Sequence, residues 1–252
     1  DFISKSNREV YLDLVKFFAM IMMVAGHSFF ELANPNSYSL NLFPWNWWNF
    51  ARGKTAPTFL FLSGAVHVFA NFKNSTTGIS NQLLKKRINM SLILLLIGYL
   101  LNSPINSIDD IYNINDEKLK IFFQVNILQI FGVGLFILAL IYKFANNPNK
   151  VFIYSFILAI ISTLLAAFFI HNDLEYFPIF IRNYFNYKSG SVFVIFPYIS
   201  YLLFGTCFGV ISYKTKQKNK INKSPNFIEK SVSNYNHLIS SILLIIIGVV
   251  IT

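Results

Sequence analysis

The sequence predicts an all-α, multi-pass membrane bundle of about seven spans, and three observations carry that expectation. Of 252 residues, 54% are apolar and only 13% are charged, about half the charged share of a soluble domain. Mean hydropathy is +0.50. The apolar residues are gathered into runs near the roughly 20 residues that a spanning helix needs.

Seven such runs occur in order: 10–31, 56–72, 87–102, 121–144, 151–171, 192–213 and 237–252. The second and third are short and draw on their flanks. Trp45, Trp47 and Trp48 form an interfacial aromatic patch ahead of Ala56. The first run carries internal charge and lacks a small-residue cleavage site, which excludes a removable signal peptide. The chain begins without Met and stops inside an apolar run, so residues 1–252 read as a single membrane domain truncated at its C-terminus.

Orientation follows from the basic residues. With the N-terminus cytoplasmic, the inside segments hold 14 Lys and Arg, including Lys85, Lys86, Arg87 and the 214–230 stretch. The outside segments hold six, from Arg52 to Lys188, with Asp109, Asp110, Asp116, Glu117, Asp173 and Glu175 beside them. That asymmetry fits an N-in integral protein, expected in a bacterial inner membrane. The net charge of +10 therefore reads as a set of topology determinants and not as a nucleic-acid surface. A lone Cys207 in an apolar run supplies neither a disulfide framework nor a thiolate metal site. No Walker loop, dinucleotide glycine fingerprint or zinc-protease motif is present, and no metal is expected.

The first run is the most informative. Asp13, Lys16 and His27 lie inside it, where ionisable groups cost several kcal/mol and a functional role is the default reading. Lys16 and His27 are eleven residues apart, which returns to nearly the same helix face roughly 16 Å further on. A cation near one membrane surface and an imidazole near the other thus share one stripe. Plainer roles exist for each. Asp13 and Lys16 suit a simple interfacial ion pair, and Lys85, Lys86 and Arg87 suit topology anchoring. Ser63-Gly64 suits close helix packing, and His67, His171 and His237 suit interfacial or loop positions.

The run from Arg8 through Tyr11-Leu12-Asp13-Leu14-Val15-Lys16 to His27 resembles the opening of the membrane-bound acyltransferase superfamily. That superfamily holds the acyltransferase type 3 proteins and the heparan-α-glucosaminide N-acetyltransferase group. Its first helix reads Asp-x-x-Arg, ten residues, then His. Lys16 stands here where Arg is usual, keeping the charge and losing the bidentate fork. Ala56-Pro57-Thr58-Phe59-Leu60-Phe61-Leu62-Ser63-Gly64 resembles the second helix, and Lys85-Lys86-Arg87 the basic lead-in to the third. Asn126-Ile127-Leu128-Gln129-Ile130-Phe131-Gly132 and the run from Phe196-Pro197 to Gly205 resemble later helices of the heparan-acetyltransferase branch.

The resemblance implies acetyl or other short acyl transfer from cytoplasmic acyl-CoA to a sugar or glycolipid hydroxyl or amine across the membrane. No permanently bound cofactor is implied, acetyl-CoA being a co-substrate, and the partners are the donor, the carbohydrate acceptor and membrane lipid. His27 and Asp13 are then the catalytic candidates. Lys16, Lys85, Lys86 and Arg87 are the candidates for donor binding, and Ser63 and Gln129 for lining the pocket. His27 can act as general base or as transient acyl carrier. A transporter or flippase-like permease would also hold intramembrane charge, and dependence on an acyl donor separates the two readings.

Overall fold

A computed structural model describes residues 10–34, 37–72, 78–105, 112, 115–172 and 174–221. Among them the chain forms nine α-helices and no strand. In order these are α1 (Val10–Leu32), α2 (Trp45–Gly53), α3 (Thr55–Asn71), α4 (Asn81–Leu101), α5 (Asp116–Phe122), α6 (Ile127–Phe144), α7 (Pro148–His171), α8 (Ile179–Arg182) and α9 (Ile195–Ile221).

Local chemistry sets several of the starts. Ser80, Asn115 and Asn147 each accept a backbone N–H from the first turn of the next helix, at 3.3, 2.9 and 2.9 Å. Such side chains satisfy donors that a helix start leaves orphaned. Asn126 opens α6 with a capping box completed by Gln129. That box explains why the run expected to span from residue 121 is broken. Residues 116–122 form the separate α5, and the membrane-length helix begins at Ile127.

Four helices are long and apolar enough to cross a bilayer: α1, α6, α7 and α9, with qualifying windows Leu12–Phe29, Ile127–Phe144, Pro148–Phe169 and Ile195–Lys218. The expectation of seven is met only in this part. Helix α3 has 17 residues, and the second turn of α4 carries Lys85, Lys86 and Arg87. The seventh expected span, 237–252, lies outside the described residues.

The centre of the bundle is α9, packed between α3 and α7. Helix α6 joins it and carries α4, while α1 rests on α3. The α3–α9 seam is made of small residues. A Cβ on Gly64 would run into the Leu202 carbonyl oxygen, and one on Gly205 into that of Phe61. Backbone-to-backbone approach of this kind is how helices associate where no hydrophobic drive separates them from lipid. The outward faces of α1 and α4, with Phe17, Phe18, Val24, Leu92, Leu96 and Leu100, are exposed and apolar, as lipid contact requires.

Candidate functional site

Three contacts fix the register between α1 and the segment after it. Leu12 packs among Leu62 and Ala65 of α3, Lys16 Nζ sits 4.9 Å from the centre of the Phe59 ring, and Gly26 meets the Arg52 side chain. The helices are therefore antiparallel, with Lys16 abreast of Phe59 and His27 beyond the start of α3.

At the end of the bundle where α3 finishes and α4 begins, Arg87 is buried. Its Nη2 donates to the His67 carbonyl oxygen at 3.2 Å, and its guanidinium carbon lies 4.7 Å from the centre of the Tyr142 ring of α6. The His67 imidazole donates from Nδ1 to the Ser63 carbonyl oxygen at 2.7 Å. That bond leaves Nε2 as the ring's unprotonated nitrogen whenever the imidazole is neutral. Asn71, one turn beyond His67, is only 5% exposed. Both of its amide atoms and Arg87 Nη1 lack a hydrogen-bond partner among the described residues. Buried polar groups are nearly always paired, and the Ser63 and Tyr142 hydroxyls beside this cluster are unpaired as well. Lys16 and Arg87 both lie within electrostatic range of His67.

The candidate residues separate clearly in space. Lys85 and Lys86 are exposed and only Arg87 of the three turns inward, because consecutive helix positions diverge by about 100°. Asp13 is held by its electrostatic contact with Lys16 and stands roughly 21 Å from His27 along α1. It is not brought to the imidazole. The carboxylate nearest to His27 on its own helix face is Glu31, one turn on. His27 itself is exposed. Ser63 is buried beside Gly64 in the α3–α9 seam.

Gln129 is also buried and spends both amide atoms on its own turn. Its Oε1 accepts from the Asn126 backbone N–H at 2.7 Å, and its Nε2 donates to the Gln124 carbonyl oxygen at 3.1 Å. It caps α6. Sequence reasoning missed Asn71 and placed His67 at an interface or in a loop. The signal was there: Ser63, His67 and Asn71 recur every fourth residue on an apolar helix, which is one polar stripe.

The opposite end is polar in another way. Asn102 Nδ2 donates to the Gln124 carbonyl oxygen at 2.5 Å, and Asn126 Nδ2 donates to Asn102 Oδ1 and to the Gly98 carbonyl oxygen, each at 3.3 Å. Tyr99 and Tyr184 share a 2.9 Å hydroxyl bond. Burial, together with that bond, pushes the Tyr184 phenol above its ordinary range. Around the end of α1, Phe29 stacks on Trp45 at 5.0 Å and touches Tyr38 and Trp48. The Arg52 stem crosses Gly26, where a Cβ would lie 2.9 Å from Arg52 Cγ. Only a glycine next to His27 allows that approach.

No curated protein and no solved structure matches the chain. The family model described as heparan-alpha-glucosaminide N-acetyltransferase, catalytic, matches residues 8–249. The match runs from Arg8, ahead of α1, past the end of α9, and takes in Lys16, His27, His67, Asn71 and Arg87. With nearly the whole length matched, the chain belongs to the heparan-alpha-glucosaminide N-acetyltransferase catalytic family, a family of membrane acetyltransferases.

Proposed function

We propose that the chain transfers an acetyl group from acetyl-CoA, bound at the Arg87 end, to a hydroxyl or amine of a sugar at the His27 end. The axial order Arg87, Lys16, His27 is the observation that supports this reading. Two cations and an imidazole follow one another along the bundle, Arg87 buried, Lys16 half-buried and His27 exposed, in apolar segments where ionisable groups are costly to place. Lys16 and His27 are separated by roughly 16 Å, comparable with an extended pantetheine arm of roughly 15–20 Å.

In this reading the acceptor oxygen or nitrogen attacks the thioester carbonyl while His27 takes its proton. The carbon–sulfur bond then breaks, and the proton passes to the departing thiolate. Exposure of His27 at the end of α1 gives the acceptor access, and the ring cluster of Phe29, Tyr38, Trp45 and Trp48 offers apolar faces on which a sugar packs. An inner membrane with the N-terminus cytoplasmic belongs to the same reading, supported by the 14 to six division of basic residues.

The test uses the full protein in vesicles with radiolabelled acetyl-CoA and a glycan acceptor. Label appearing in the acceptor with stoichiometric release of CoA is expected. Acceptor crossing the vesicle wall with no donor requirement would favour a permease. Membrane-impermeant labelling of Ser80→Cys and Glu117→Cys checks orientation, and labelling of both from one side overturns it.

A further inference from the structure

Arg87 and Asn71 are among the buried polar groups that keep side-chain atoms without a hydrogen-bond partner, and of these only Arg87 carries a full charge together with the face of an aromatic ring at the end of the bundle where α3 finishes. The guanidinium has no carboxylate within ion-pair distance among the described residues, and its polar neighbours are the His67 carbonyl oxygen and Tyr142, whose ring face it covers and whose hydroxyl lies within its electrostatic reach. Asn71 comes one turn after the carbonyl that Arg87 holds. Helical side chains lean toward the preceding turn, which puts the amide over the level of that guanidinium. Arg87 Nη1 and Asn71 Nδ2 are donors in want of an acceptor, while Asn71 Oδ1 is an acceptor open to the hydroxyl of a protonated phosphate or to water. A positive charge with unpaired donors, in a site of low dielectric, selects a compact oxyanion.

Axial position says which oxyanion. Lys16 stands abreast of Phe59, and His67, which anchors Arg87, lies eight residues further along α3, or roughly 12 Å. Adding the roughly 16 Å from Lys16 to His27 puts the Arg87 level about 28 Å from the imidazole. A pantetheine arm of roughly 15–20 Å does not cover that distance. A phosphate carried directly on the arm therefore reaches His27 from the Lys16 level and not from the Arg87 level. What lies one ribose and one diphosphate further from the thioester is the phosphate monoester on the ribose.

Resting on the acyl-CoA reading above, we infer that Arg87 and Asn71 form the site for the ribose 3′-phosphate of the donor, with Lys16 left to its diphosphate. The protein then distinguishes acetyl-CoA from acetyl-dephospho-CoA, which lacks that group. The wild-type protein is expected to favour acetyl-CoA by about tenfold or more in kcat/KM, the scale of a charge-assisted hydrogen bond.

The experiment compares kcat/KM for the two thioesters in wild type, Arg87→Gln and Asn71→Leu, with direct calorimetric titration of CoA and dephospho-CoA. Asn71→Leu guards against misfolding, since it replaces an unpartnered amide with an apolar side chain of similar size. The preference is expected to fall to about one in both variants. A variant that merely loosens the fold lowers both substrates together and preserves the ratio, and that result overturns the assignment. Equal wild-type affinity for CoA and dephospho-CoA sinks this inference while leaving the donor reading standing, whereas no affinity for either sinks the donor reading. If the ratio holds and the variants instead lose thermal protection by phosphatidylglycerol vesicles, the oxyanion is a lipid headgroup and the 3′-phosphate assignment falls.

Discussion

At the start of α6, the amides of Asn102, Asn126 and Gln129 use both their donors and their acceptors on one another and on the nearby backbone. At the other end of the bundle, Asn71 and Arg87 are buried, as Gln129 is, yet keep atoms unpaired. Burial does not separate Gln129 from Asn71, but hydrogen-bond saturation does, and at the first end it is Asn183 Oδ1 that departs from the saturated pattern. An unsatisfied buried group costs on the order of 1–3 kcal/mol, so the first end stabilises the fold and the second carries an unmet demand that a ligand can meet.

Breaking the far end of that axis should have the largest consequence. His27→Ala is expected to lower kcat by about 10²–10⁴-fold, as for loss of a general base, without changing expression or membrane insertion. Steady-state kinetics on the purified variant checks it, and near-normal turnover removes His27 from the chemistry. Glu31→Gln, a charge change one turn away, should lower kcat far less than His27→Ala does.

Lys16→Gln should raise the donor KM by about tenfold and leave the acceptor KM unchanged, while Lys16→Arg keeps most activity because the charge survives. A double-mutant cycle with Asp13 measures how much of the effect belongs to their contact.

The saturated end predicts the converse pattern. Gln129→Ala removes one arm of the capping box and strands the Asn126 N–H, costing about 1–3 kcal/mol of stability with the donor KM unaltered. Thermal unfolding in detergent, run beside donor kinetics, separates the two. The smallest effect is expected for Lys85→Gln and Lys86→Gln, whose side chains are exposed; the donor KM should stay within about twofold, as for solvated charges.

Much of the bundle was legible in the sequence because hydropathy and burial coincide in membrane helices. The run at 56–72 became α3 almost residue for residue. The break at Ile127 was less visible, since residues 121–125 are nearly as apolar as the start of α6. Only the cap chemistry of Asn126 with Gln129 marks the true start. Lys16 and His27 stood out because charge in an apolar run is rare.

Asn71 did not stand out, because an amide near a helix end reads as a cap. Its isolation emerges only once Arg87, sixteen residues away in sequence, is seen reaching the same turn of α3. Asp13 and His27 are both catalytic candidates in the sequence, and fourteen residues of helix separate them, so Asp13 meets Lys16 and not the imidazole.

The seating of α1 differs from that of its neighbours. Helices α3 and α9 are locked by backbone contact at Gly64 and Gly205, and α4 is tied to α6 by the Ser91 hydroxyl donating to the Gly132 carbonyl oxygen at 2.7 Å. Helix α1 rests on α3 through side chains, with a minor contact to α2. In a thicker or thinner bilayer a helix so held tilts to match the hydrocarbon, while a glycine-locked pair resists sliding. The element that accommodates lipid composition is thus the one that carries both Lys16 and His27, so turnover should vary with acyl-chain length of the host lipid even where the fold does not.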